Sequence, residues 1–393
     1  MDAGSTLPPG NSPNLVLTHP TPEEKQATWK LNGQAWRGTM DISTYVRREA
    51  HLEDQAFTRD GGITFWILVD TTLPPNARSI LASCETFRKK ALIARENNEV
   101  EQITSHGIGS VFCNPEYRGR GYAQRMIKEL GMMLEHWQQK NGERTSFTVL
   151  YSDIGKQQTF YSRMGWQAFS SSHISLPAKG SPGLSYSARY LRAEDLPEFC
   201  KTDEKWLRRE LGQVQRSDSK IFVALVPDAK TIQWHHAREE FAGQELLGRF
   251  PELKGAWAKT ATGDQVWCIW TRTFGSSGAG NTLDILRFVI EGDQIFREGK
   301  KHHVDCNYLN KPKIEAAAVV LRAAQLEAYR WNMDRVHVWN PTTMTLLAAQ
   351  EVEASTQMID RDQESITSLR WHGLDPQEVG KVEWISNEKY GWC

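Results

Sequence analysis

Two hydrophobic periods alternate along this chain. Residues 15–17 (LVL) and 63–69 (ITFWILV) are short β-branched and aromatic runs bounded by turn residues, the pattern of strands. Between them, Thr21, Pro22, Glu23 and Glu24 mark a helix start: a hydroxyl cap, a first-turn proline and acids beside the positive helix end. A second helix is predicted over 42–57, and residues 80–93 alternate as a long strand or hairpin. Residues 106–113 (HGIGSVFC) read as a strand that Pro115 ends, because proline cannot donate to a ladder. Over 122–139, Ala123, Met126, Ile127, Leu130, Met133, Leu134 and Trp137 recur at the helical period, the stripe of a helix lying on a sheet. Lys140, Asn141 and Gly142 predict its stop. A strand follows over 147–151 (FTVLY), then a short helix reaching Phe160 and Tyr161, then a strand opened by Gly165 and Trp166.

Residues 177–187 (PAKGSPGLSYS) form the clearest linker, after which the pattern restarts. Strands are predicted at 190–191, 221–225, 255–258, 266–274 and 283–290, with helices beginning near Asp195 and over 236–247. A long helix over 314–332, a strand over 336–339, a short helix over 342–350 and two strands complete the pattern. The same order of elements occurs twice without a residue-level repeat, which suggests a structural duplication. The expected organisation is a disordered tail over 1–13, an α/β domain over 14–180 and a second, related but degenerate α/β domain over 188–393.

Charge narrows the functional classes. Lys and Arg number 47 against 48 Asp and Glu, so the formal charge of −1 argues against nucleic-acid binding by bulk charge. The apolar runs are too short to span a bilayer, and no secretory signal is read in the first twenty residues. The six cysteines, Cys84, Cys113, Cys200, Cys268, Cys306 and Cys393, lack zinc or redox spacing and are expected to be reduced thiols in a cytoplasmic protein. The adjacent pairs His235–His236 and His302–His303 are poor metal grammar, so no metal is expected.

The strongest chemical signal is the strand-to-helix junction Arg118-Gly119-Arg120-Gly121-Tyr122-Ala123. Backbone N–H groups at a helix start point outward, glycines admit a phosphate, and the two arginines add charge. The dinucleotide pattern G-x-G-x-x-G fails at Gln124, and no nucleotide P-loop occurs. Arg118-x-x-Gly121-x-Ala123, approached through Val111, Cys113, Pro115 and Tyr117, resembles the coenzyme A signature of the Gcn5-related N-acetyltransferases (GNAT). Tyr161-x-x-x-Gly165-Trp166 resembles the second hallmark of that superfamily. The likeness covers residues 14 to about 175. The run 150–155 before Phe160 and Tyr161, with the long second half, resembles the fungal lysine N6-acetyltransferases.

The resemblance implies a GNAT fold, a mixed central sheet flanked by helices, with a second GNAT-like domain walling the acceptor side of the cleft. It implies acetyl-CoA as co-substrate, its diphosphate cradled by the N–H groups of Arg118, Gly119, Arg120, Gly121, Tyr122 and Ala123. Val111, Phe112 and Cys113 would bind the pantetheine arm like an added strand, with an N–H of Phe112 or Cys113 on the thioester oxygen. Tyr161 would protonate the leaving thiolate. Two positions depart from the family: Ile154 where Asn is common, and Gly109 where a general-base Glu is common. Glu85 and His106 are therefore the candidate bases. The expected reaction is direct attack of a small-molecule amine on the thioester, with free L-lysine the first acceptor. A protein lysine, a secondary-metabolite amine, or a coenzyme-binding scaffold without activity are the alternatives. No nucleic acid or membrane partner is expected, and the oligomeric state is left open.

Overall fold

The computed structural model describes residues 7–95, 99–139, 145–155, 159–180, 188–213, 220–275, 280–293, 311–373 and 375–393. The expected helix stop at Lys140–Gly142, the 181–187 part of the linker, Cys306 and His302–His303 lie outside these residues. In chain order the elements are β1 (Leu15–Thr18), α1 (Pro22–Trp36), α2 (Ile42–Glu53), β2 (Ile63–Asp70), β3 (Ala82–Ala94) and β4 (Val100–Cys113). Then come α3 (Tyr122–Met133), β5 (Phe147–Ser152), β6 (Trp166–Ala168), β7 (Ser172–Pro177), β8 (Arg189–Leu191), α4 (Leu196–Gln213), β9 (Ile221–Leu225) and α5 (Ala229–Leu247). The chain continues with β10 (Gly255–Lys259), β11 (Gln265–Thr273), β12 (Thr282–Ile290), α6 (Lys311–Arg330), β13 (Arg335–Trp339) and α7 (Thr343–Val352). It closes with β14 (Ile359–Asp360), β15 (Ile366–Trp371) and β16 (Val382–Trp384).

Local chemistry sets the helix starts. Thr21 and Glu24 form a reciprocal capping box on α1, with Glu24 N–H donating to Thr21 Oγ1 at 3.1 Å and Thr21 N–H to Glu24 Oε2 at 3.0 Å. Asp228 caps α5 by accepting from Thr231 N–H, so this helix begins seven residues before the expected start at 236. Helix α3 ends at Met133 rather than 139, and residues 134–138 fold back as turns.

Two mixed sheets carry the fold. The first has the order β1-β2-β3-β4-β5-β15-β6, with β9 and β16 extending it beside the far end of β3. The second has the order β14-β7-β13-β12-β11-β10-β8. Each contains a parallel step spanned by a crossover helix: β4-α3-β5 in the first, β12-α6-β13 in the second. The expected division at the linker is crossed by hydrogen bonds in both directions. Strand β7, which precedes the linker, lies in the second sheet between β13 and β14. Strand β15, from the second half, lies in the first sheet between β5 and β6.

The layers run helix, sheet, sheet, helix. Met126, Ile127, Leu130 and Leu134 cover one face of the first sheet at Trp66, Ile108, Leu150 and Trp166. The opposite face packs onto the second sheet through Ala91, Ile93, Phe147 and Val149 against Trp267, Ile269 and Leu286. The alanine-rich side of α6 covers the outer face of the second sheet. No helix among the described residues is long and apolar enough to cross a membrane.

The disordered tail expected over 1–13 is corrected from residue 7 onward; residues 1–6 lie outside the described chain. Leu7 packs against the core beneath α3, the Tyr122 hydroxyl donates to Pro8 C=O, and Gly10 N–H donates to Arg120 C=O at 3.1 Å. A Cβ on Gly10 would stand 2.4 Å from that carbonyl oxygen, so only glycine fits there. Low apolar content hid this segment because three contacts of high sequence separation, not a local period, hold it.

Candidate active site

The site begins where two strands part. Parallel pairing of β4 with β5 is confined to His106–Thr148, Gly107–Val149 and Ile108–Leu150. Beyond it, β4 stays bonded to β3 as far as Cys113, and β5 stays bonded to β15 as far as Ser152. The β3–β4 register shifts between Ser83 and Glu85, opposite Ser110, whose φ is +51°. A bulge bends and twists its strand, which turns β4 away from β5 and opens a gap from Gly109 and Tyr151 outward. Val111 and Cys113 lean on the α3 side of the core, while Phe112 meets Trp36 edge-on at 5.7 Å between centroids.

At the end of β4 the chain turns into α3. Asn114 caps a single 3-10 turn over Pro115–Tyr117 by accepting from Glu116 N–H. Gly119 and Gly121 follow with φ of +80° and +86°, and a Cβ on either would meet nothing within 4 Å. These glycines thus supply left-handed backbone and face open space. Helix α3 starts at Gly121 without a side-chain cap and has no acid in its first turn, leaving its N–H groups for an anion. Arg118 and Arg120 are exposed beside it, with Arg118 Nε donating to Cys113 C=O at 3.2 Å. Ala123 is half-buried, and the Tyr122 side chain is buried, so Tyr122 offers this loop only its backbone. The residues fit a diphosphate: clustered amides, two guanidinium groups and no obstructing side chain.

Tyr161 sits on the α3 side of the first sheet, its ring packed edge-on against Phe160 at 5.0 Å. Its C=O accepts from the N–H groups of Met164 and Trp166 at 3.0 and 3.1 Å, and Gly165 completes the turn with φ +96°. The Tyr-x-x-x-Gly-Trp motif is therefore a backbone device that presents the phenol. Burial, with Cys84 and Asp153 adding to it, pushes that phenol above its ordinary range, so it stays protonated and able to donate.

The two candidate bases separate. Glu85 lies on β3 directly across from Gly109, buried on the face turned away from α3. Desolvation raises its pKa to about 8, the charge of Glu49 adds to the rise, and a hydrogen bond from Ser110 opposes it. His106 points to the other face, because it shares the side of Ile108 on the period-2 strand and reaches Gln138 beyond α3 at 3.1 Å. Burial lowers the His106 pKa to about 4. The two candidates thus stand on opposite faces of the sheet, Glu85 beside Gly109 with a carboxyl raised toward neutrality and His106 beside Gln138.

Several residues at the gap carry no motif. Cys393 lies over β4: a Cβ on Gly107 would stand 2.8 Å from Cys393 Sγ, and one on Gly109 would stand 3.1 Å from Cys393 O. Trp392 beside it meets Arg238 of α5 and Lys389, at 5.2 and 4.6 Å from its ring centroid. Tyr45, Arg48 and Glu49 of α2 complete this charged wall, with Arg48 bonded to Glu49 at 2.8 Å. The sequence signal was the pair Gly107-x-Gly109 inside a strand, which marks close approach of another backbone. Ile154, the other departure, is exposed at the end of β5.

A bulged strand leaving its parallel neighbour, with an uncapped glycine helix start beside the opening, defines an acyl-coenzyme A donor architecture. Comparison with known proteins agrees. The family described as the LYC1 GNAT-like C-terminal domain matches residues 173–393, and the acetyltransferase (GNAT) domain matches residues 88–168. An uncharacterized protein of Saccharomyces cerevisiae is 24% identical over 267 residues, 59% of this chain and 65% of its own length. The chain thus covers slightly less than two thirds of that relative. A Yarrowia lipolytica protein named lysine acetyltransferase is 22% identical over 289 residues, 64% of this chain and 70% of its own length. An Enterococcus faecalis structure described as a probable N-acyltransferase shares the fold, with a TM-score of 0.51 at 11% identity over 92% of this chain and 73% of that one. The chain belongs to the GNAT superfamily and carries the C-terminal domain of the LYC1 type.

Proposed function

We propose that the protein is an acetyl-CoA-dependent N-acetyltransferase whose acceptor is free L-lysine, giving N6-acetyl-lysine. The observation that carries the reading is the β4–β5 gap, with an uncapped glycine helix start at one end and the buried Glu85 carboxylate beside it. Bound acetyl-CoA would supply the acetyl thioester that the amine attacks. The amides of 118–123 with Arg118 and Arg120 hold the diphosphate, and the open edge of 111–113 orients the pantetheine arm. An N–H of Phe112 or Cys113 polarises the thioester oxygen. An unperturbed lysine ammonium has a pKa of about 10.4, so it must lose a proton before attack. Glu85 accepts that proton, and its raised pKa brings it nearer to the donor's. Tyr161 donates to the departing sulfur.

The finer choice of free lysine rests on enclosure. Buried Glu85 stands behind a wall that includes Glu49, Arg48 and Arg238, which suits the side-chain amine of a small molecule, whereas a protein tail calls for an open groove. The name of the Yarrowia relative supports the same choice. A thiol-release assay with acetyl-CoA and equal concentrations of L-lysine, polyamines and histone-tail peptides tests it. L-lysine is expected to turn over fastest, with N6-acetyl-lysine identified by mass. Faster turnover of the peptides moves the acceptor to protein lysine; no thiol release with any amine leaves a coenzyme-binding scaffold.

A further inference from the structure

Between the two sheets, beyond Glu85, lies a group of buried polar atoms that the reaction steps above do not use. Arg361, 5% exposed, donates from Nη1 to Ser172 C=O at 2.8 Å, while its Nε and Nη2 have no acceptor. Its guanidinium stands 3.9 Å from the centroid of the Trp339 ring, and the Lys389 ammonium stands 4.2 Å from the same centroid. Among the described residues neither cation has a carboxylate within ion-pair distance. Tyr151 Oη, whose ring centroid lies 6.2 Å from that of Trp339, and Thr367 Oγ1 of the residue paired with Tyr151 are likewise buried without a hydrogen-bond partner. Burial lowers the pKa of both cations; Asp284 opposes this for each, with Glu364 acting on Arg361 and Asp153 on Lys389, and Asp284 is already engaged by the Thr273 hydroxyl at 2.6 Å.

A buried guanidinium, a half-buried ammonium on the same ring and two orphaned hydroxyls beside them are costly unless an anion completes them. Elsewhere in the interior the chain meets this requirement itself: Arg287 is bonded by Asp203 and Glu388, and Arg272 by Glu239 and Glu327. The location is equally specific. Tyr151 is the residue after Leu150, the last β5 residue paired with β4, so it stands at the mouth of the gap facing Gly109. Glu85 lies one strand further, opposite Gly109. Two strand spacings, roughly 10 Å and wider where the strands part, separate the Glu85 and Tyr151 backbones. A lysine-length molecule bridges that span, with one end at Glu85 and the other at Trp339.

We propose that Arg361 and Lys389, stacked on Trp339, are the carboxylate subsite of the acceptor, so that the substrate class is an amine with a carboxylate at its far end. This rests on the N-acetyltransferase reading above and deepens it. The subsite holds the head of the acceptor and leaves only the distal amine within reach of Glu85. It rejects amines without a carboxylate by leaving its cations unpaired, the same logic by which a polar pocket refuses an analogue lacking the matching group.

The test uses L-norleucine, which keeps the amino-acid head and lacks the reacting amine, on the full-length wild type, Arg361→Gln and Lys389→Met. Calorimetry is expected to show norleucine binding to the wild type and a roughly 10- to 100-fold loss in each variant, as for one charge-assisted contact. The ratio of kcat/KM for L-lysine to that for cadaverine is expected to fall by a similar factor. Circular dichroism checks folding, and Lys389→Met carries the test if Arg361→Gln does not fold. Absence of norleucine binding to the wild type, or folded variants that bind it as the wild type does and keep the lysine-to-cadaverine ratio, would overturn the subsite. Variant-sensitive norleucine binding without thiol release from any amine removes the enzyme reading and leaves the subsite. Lysine turnover insensitive to both variants does the reverse.

Discussion

The two crossover units, β4-α3-β5 and β12-α6-β13, share a backbone plan and differ in what occupies the opening. In each, the middle strand pairs in parallel with the strand after the helix for a few residues only, three in the first and four in the second. In each, a register shift against the preceding strand follows at once, at Ser83/Glu85 and at Ile269/Trp270. In the second unit the chain closes its own opening. Phe288 N–H, beyond the last paired residue Ile285, donates to Glu388 Oε2 at 2.7 Å, and Arg287 is clasped by Asp203 and Glu388. Its helix begins Lys311-Pro312-Lys313, without glycine. In the first unit Cys393 passes over Gly107 and Gly109 of β4, while Gly119 and Gly121 beside the opening face open space. One strand geometry thus serves as a ligand cleft when left open and as a structural joint when a carboxylate from the same chain fills it.

Four changes break or sharpen this contrast. The largest effect is expected from Gly121→Asp, which places a β-carbon at φ +86° and a negative charge at the diphosphate cradle. Calorimetry is expected to detect no acetyl-CoA binding by a protein that still folds; normal affinity would place the coenzyme elsewhere. Tyr161→Phe comes next, with turnover down by roughly 10²–10⁴-fold and coenzyme affinity nearly unchanged, the signature of a group that acts in the transition state. Equal turnover would make Tyr161 structural.

Glu388→Ala probes the filled opening instead. Removing it strands Arg287 with one partner and frees Phe288 N–H, and chemical denaturation is expected to show a loss of about 3–5 kcal/mol. A change well below that range would mean the second opening tolerates water and is less closed than its contacts imply. The gentlest test is pH. With Glu85 raised to about 8, turnover is expected to climb with pH up to that value and then level, while Glu85→Gln is slow at every pH. Stability has the opposite trend: the folded state holds this proton more tightly than the unfolded chain, whose value is near 4.5. The contribution of Glu85 is therefore fully present below about 4.5 and is lost as pH rises through about 8. Glu85→Gln is expected to unfold with a smaller loss of stability across that window; an identical pH profile for both proteins would place the Glu85 pKa in the ordinary range.

The sequence by itself determined the devices whose physics is local. The Thr21 cap with its first-turn proline and acids, and the glycine helix start at Arg118–Ala123, depend on residues a few positions apart and stand as their spacing implied, whereas the short helix expected to reach Tyr161 is a 3-10 turn over Ser162–Met164. The strand and helix order followed from period, and so did the duplication of the plan. Tertiary structure decided the rest. A period of two marks a segment as a strand without naming its neighbour, so the exchange of β7 and β15 between sheets was open until long-range pairing chose it. Glu85 and His106 looked equivalent as titratable residues, and only the face each strand position takes put one at the gap and the other under Gln138. The meeting of Arg361 and Lys389 on Trp339, and the passage of Cys393 over Gly107 and Gly109, join positions tens to hundreds of residues apart. Burial and pKa arise from such contacts, and these are properties of the packed chain that no local pattern contains.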